Sequence, residues 1–89
     1  MRKKISVNTM IPIYEMGNRF IISKKNCIKG RLEFSTGEAG NLRSYPLEKD
    51  KDYTFQTPKI IETSHVKFVP TFVKIITTEK LDSITIEVF

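Results

Sequence analysis

Alanine occurs once (Ala39), cysteine once (Cys27), histidine once (His65), and tryptophan not at all. Each scarcity excludes something. With one alanine beside twelve isoleucines, and no stretch carrying a 3.6-residue apolar period, the sequence has no convincing helix. A single cysteine cannot close an internal disulfide, so the disulfide-stapled secreted scaffolds are excluded. Cys27 itself reads as a small, half-buried strand residue.

One histidine 38 positions from one cysteine gives no catalytic dyad or triad from sequence. Zinc needs three or four Cys or His ligands, so no metal site is expected. Glu48, Asp50 and Asp52 look like the start of an acidic calcium loop. Lys49 and Lys51 are interleaved, and Tyr53 opens a strand, so a solvated turn is the better reading. Gly37-Glu38-Ala39-Gly40 lacks the Lys-Ser/Thr of a phosphate loop. No cofactor and no catalytic residue is assigned. A carboxylate hydrolase or nuclease would need acids brought together by the fold.

No apolar run reaches the roughly 18 residues of a membrane helix. Met1-Arg2-Lys3-Lys4 resembles the basic start of a signal peptide. Asn8, Thr9, Pro12 and Glu15 break up the stretch after it, so no targeting segment and a cytoplasmic location are expected.

The pattern that is present is alternation. The 89 residues suit one domain spanning 1–89. Lys4 to Tyr14 places Ile5, Val7, Thr9, Ile11 and Ile13 on one face of a single strand, with Pro12 marking an edge or bulge. Gly17-Asn18 would turn it into a hairpin with Arg19–Ser23. Cys27 to Ser35 is the cleanest run: Ile28, Gly30, Leu32 and Phe34 face one way, Lys29, Arg31, Glu33 and Ser35 the other. Further short runs lie at Leu42–Leu47, Tyr53–Thr57 and Ile60–Thr63. Residues 65–78 form an extended segment broken at Pro70, apolar on both parities and so expected to be covered on both faces. Ile84–Phe89 is the last strand. The spacing predicts an all-β fold, a small antiparallel barrel or sandwich of six to eight short strands.

The net charge is +5, and its distribution is uneven. Residues 1–32 carry a balance of +7 and residues 33–89 a balance of −2. Arg19, Lys24, Lys25, Lys29 and Arg31 fall in thirteen residues without an acid. Brought to one surface, they would track a phosphate backbone, with Tyr14 or Phe20 as stacking partners. Prolines at 12, 58 and 70 look like edge protection, whereas the last strand has none. Ile84, Ile86, Val88 and Phe89 are therefore the candidate edge for pairing with another chain.

Two functions are expected on these grounds. The first is a non-enzymatic interaction protein that binds a protein partner or itself: an inhibitor, an accessory subunit or an assembly component. Its size and composition fit a phage or mobile element of a low-GC host. The second is a nucleic-acid-binding β-barrel that uses the basic first third.

Overall fold

The computed structural model describes residues 1–36, 42–57, 61–63, 66–68 and 70–89, with 61–63 and 66–68 as backbone. The expected Gly37–Asn41 loop, Pro58 and His65 lie outside the described residues.

The fold is all-β and sandwich-like, not a closed barrel. Ten strands occur among the described residues: β1 (Arg2–Ser6), β2 (Ile11–Pro12), β3 (Arg19–Ile22), β4 (Gly30–Ser35), β5 (Leu42–Leu47), β6 (Tyr53–Gln56), β7 (Ile61–Thr63), β8 (Val66–Phe68), β9 (Phe72–Thr77) and β10 (Ser83–Val88). Eight of them make two four-stranded sheets. Sheet A has the order β1-β10-β3-β6 and sheet B the order β2-β9-β4-β5, every pairing antiparallel. β7 and β8 pair with each other as a separate ribbon.

Alternation does most of the work. Along β10 the side chains of Ile84, Ile86 and Val88 are buried, while Ser83, Thr85 and Glu87 are half-exposed. Along β4 Leu32 and Phe34 are buried, as the sequence pattern requires. The two inner faces meet in one core that includes Phe20, Ile22, Leu32, Phe34, Val73, Ile75 and Ile86. β9 is only half as covered as its sequence implied. Val73 and Ile75 are buried, but Phe72 and Ile76, on the outer face, stay half-exposed.

The expectation of one strand over Lys4–Tyr14 is corrected. The chain leaves sheet A after Ser6, turns through Asn8, and enters sheet B at Ile11; Ile13–Met16 then forms a 3-10 turn. Asn8 has φ 57°, a left-handed conformation that asparagine tolerates better than β-branched residues. Its side chain makes a two-way bond to the β9 backbone. Nδ2 donates to the Thr77 carbonyl at 3.1 Å, and Oδ1 accepts from the Thr77 amide at 3.0 Å. Strict parity could not reveal this turn, because Val7 and Ile11 are both buried, one over each sheet.

The expected hairpin between the first two runs does not form. β10 lies between β1 and β3, with Lys3 opposite Ile86 and Val88 opposite Phe20. Gly17 serves a different purpose from a hairpin turn. It has φ 64°, and a Cβ there would collide with the Phe89 carbonyl oxygen, so it permits the close approach of β10 to the start of β3. Gly30 plays the same part between β4 and β9, where a Cβ would collide with the Ile76 carbonyl oxygen.

Replacing Asn8 separates the two contributions of the crossover. Asn8→Ala should lower the unfolding free energy by about 2–3 kcal/mol, from two lost hydrogen bonds and a strained backbone. Asn8→Gly should recover the backbone part, about 1 kcal/mol. Urea denaturation of the three proteins checks both, and equal stability of Ala and Gly variants would contradict the left-handed turn.

Candidate functional site

The structure separates the residues that sequence grouped. Arg19 lies at the start of β3, on the outer face of sheet A, its guanidinium 4.6 Å over the Phe89 ring. Lys24 and Lys25 sit past the other end of β3. They line a shallow cleft with Lys4 and Lys49. Lys29 and Arg31 belong instead to a groove on the outside of sheet B, shared with Lys49, Pro46 and Ile76. Arg31 there is paired with Glu33 at 3.2 Å. The five cations thus divide into two, two and one. Of the proposed stacking partners, Tyr14 is 80% exposed, whereas Phe20 is fully buried and cannot stack on a base.

The C-terminal edge is also corrected. Ile84, Ile86 and Val88 are core residues of an interior strand, flanked by β1 and β3. Only Phe89 of the four is exposed, and it lies against Arg19. An unprotected strand looks like an edge in sequence, but a strand buried between neighbours needs no protection either.

The true edges are β1 and β6 in sheet A, and β2 and β5 in sheet B. In an antiparallel ladder alternate residues turn their N–H and C=O toward one neighbour, so the register tells which groups face outward. For β1, the Val88 amide bonds to the Met1 carbonyl and the Val7 amide to the Asp82 carbonyl. Odd-numbered residues therefore face β10, and Arg2, Lys4 and Ser6 face out. In β2 the Ile13 amide bonds to the Thr71 carbonyl, which turns Pro12 outward. Carried through β9 and β4, the same alternation turns Leu42, Ser44 and Pro46 of β5 outward. For β6, the Thr57 amide bonds to the Asn18 carbonyl, which leaves Thr54 and Gln56 facing out.

Three edges thus carry a known defence at an outward position: cations on β1, proline on β2 and β5. β6 has neither. Its outward residues Thr54 and Gln56 are uncharged and exposed. Beside it, the open flank of the sandwich is aromatic. Phe55 stacks on Phe20 at 5.3 Å and on Tyr53 at 6.1 Å, and meets Tyr45 of β5 edge-on at 5.7 Å. Tyr45 is 41% exposed, and Tyr53 and Phe55 are half-buried. Sequence alternation places Tyr53 and Phe55 inward but misses this flank, because nothing local says that β6 has a neighbour on one side only.

The charged loops at one end of the sandwich are internally tied. Glu79 accepts the Lys29 amide at 2.8 Å and pairs with Lys49 at 2.6 Å. Lys51 pairs with Glu48. These bonds hold the Glu79 carboxyl below its ordinary range, the Lys49 contact first and the Lys29 amide second. Cys27 is buried, and burial pushes its thiol up. Among the described residues no three His, Cys, Asp or Glu side chains cluster as metal ligands would. No helix of the described residues is long and apolar enough to cross a membrane.

The chain matches no family model, no curated protein and no solved structure. Its own geometry therefore carries the functional reading.

The titrating groups lead to two expected outcomes. A carboxylate held more acidic in the folded state stabilises above its unfolded pKa, and that contribution disappears as pH falls through the folded value. Thermal stability should therefore decline below about pH 4.5, the ordinary value for Glu79, and Glu79→Gln should flatten that decline while lowering stability at neutral pH. Melting curves from pH 3 to 7 test it; parallel curves for both proteins would contradict the assignment. Cys27 should react with a disulfide reagent at pH 8 at least about tenfold more slowly than in the urea-unfolded chain. Equal rates would show the thiol to be accessible.

Proposed function

We propose that this protein is a binding module, not an enzyme, and that it takes up an extended segment of another polypeptide at the free edge of β6. The observation that carries this reading is the contrast among edges. Charge or proline guards three outward-facing rows, and the fourth offers Thr54 and Gln56 with neither. Unsatisfied strand edges template pairing, and natural sheets guard them unless the pairing is used. An added strand would gain backbone hydrogen bonds at Thr54 and Gln56. Its side chains would reach the half-exposed ring faces of Phe55, Tyr53 and Tyr45, which supply apolar area at low conformational cost.

The incoming segment can come from a different protein or from a second copy. Thr54 and Gln56 flank Phe55 symmetrically, so two β6 strands can pair about a two-fold axis at Phe55, each Thr54 opposite the other chain's Gln56. The nucleic-acid reading has less support, since the five cations do not share one surface and Phe20 is in the core.

Thr54→Pro removes only an outward-facing amide, and Gln56→Lys adds only an edge charge, so both variants should fold and melt near the wild type. Random peptides displayed on phage and selected on the wild-type protein should bind both variants at least about tenfold more weakly, the equivalent of 1.4 kcal/mol. Sedimentation velocity of the same three proteins reads self-association. Selected peptides that bind all three equally, together with three equally monomeric proteins, would overturn the reading.

A further inference from the structure

β3 and β10 run together only near one end. Glu87 faces Ile21 and Val88 faces Phe20; the chain then turns away through Ser23–Asn26. Two steps further, Ser23 would have faced Thr85. The alternation set by the Val88–Met1 and Val7–Asp82 hydrogen bonds points Ile84 and Ile86 at β1, and hence Thr85 and Glu87 at β3. Glu87 finds Ile21 there. The Thr85 amide and carbonyl meet no strand among the described residues, although Thr85 is only half-exposed.

That open stretch of β10 is one wall of the lysine cleft, about 460 Å³ in volume. Lys4, Lys24 and Lys25 line it, and among the described residues none of the three is in an ion pair. Lys49 and Glu79 are also at the cleft but neutralise each other at 2.6 Å. Asp50 lines it as well, and the Asp52 carboxylate accepts the Lys24 amide at 2.6 Å on its rim. The cleft therefore carries three ammonium groups outside any ion pair against two carboxylates, a balance of +1.

We propose that this cleft binds a phosphate group. The net positive charge attracts a phosphate anion. Its three terminal oxygens can accept from the Thr85 amide and hydroxyl and from mobile ammonium groups together, where a carboxylate has one oxygen fewer and half the charge. The Thr85 amide gives direction, and the lysines give attraction. The site is independent of the β6 edge, at the opposite side of β3. The phosphate is either a free small anion or part of a nucleic-acid backbone, and the two differ in how binding scales with salt.

The test is a titration of nitrogen-15-labelled protein with inorganic phosphate at constant ionic strength, read from the amide spectrum. The Thr85 amide should shift and saturate in the millimolar range. Lys24→Gln with Lys25→Gln should weaken binding by about tenfold, while Lys74→Gln, on the outer face of sheet B, leaves it unchanged. A second arm uses a short single-stranded oligonucleotide. The same Thr85 shift with tighter, steeply salt-dependent binding assigns a nucleic-acid phosphate; weaker or no oligonucleotide binding assigns a small phosphate. A Thr85 amide that does not move, a shift reproduced by chloride alone, or a Lys24/Lys25 variant that binds as the wild type does would each overturn the proposal.

Discussion

The crossover at Asn8 is the constraint on which both sheets depend. One side-chain amide imitates a strand: it donates to and accepts from Thr77 as a paired residue would. Thr77 in turn donates its hydroxyl hydrogen to the Lys29 carbonyl and accepts the Glu79 amide at its Oγ. Glu79 then reaches the Lys29 amide and Lys49. A single chain of hydrogen bonds thus ties the β1–β2 crossover to the ends of β9, β4 and β5. The two sheets are held in register at one end by polar groups, and along their length by the apolar core. Partly buried polar networks of this kind specify geometry more than they add stability.

The aromatic side chains divide along the same logic. Phe20 and Phe34 are core residues, in edge-on contact at 6.3 Å. Phe55 continues that packing outward, and Tyr45 and Tyr53 finish it at the surface. The Tyr53 hydroxyl accepts the Glu48 amide, which gives the ring a polar anchor at its wet end. The flank is apolar because the core does not stop at the sheet edges. It runs out between β5 and β6, where the described residues place no closing strand.

Much of the fold is legible in the sequence, and the reasons are local. Alternation over Gly30–Ser35 and Ser83–Val88 gives strand, face and burial together, since a strand's period of two leaves one inward set, but the expected strand over Cys27–Ser35 begins only at Gly30. The all-β class comes from alanine scarcity and β-branched abundance. The partner of each strand is not legible. Lys4–Tyr14 keeps one parity through a turn that changes sheets, because Val7 and Ile11 each point inward from their own sheet. The edge assignment fails for Ile84–Phe89 because absence of charge and proline marks a fully paired strand as well as an unguarded one. The five cations fail to converge for a related reason. Arg19 and Lys24 lie at opposite ends of one strand, and Arg31 lies in the other sheet.

The position of β10 has a kinetic consequence. Arg2 pairs with Glu87 and Phe20 with Val88, so both halves of sheet A are joined through a strand distant in sequence from either. Before residues 83–88 dock, β1 has no partner, and β3–β6 is an isolated two-stranded ribbon, which is marginal in water. Sheet B starts from a more local unit, since β4 and β5 are adjacent in sequence, although β2 gains its partner only when β9 docks. Closing loops of this length is entropically slow. The β4–β5 hairpin is therefore the most local unit of the two sheets, and the docking of β10 is the event that joins the two halves of sheet A.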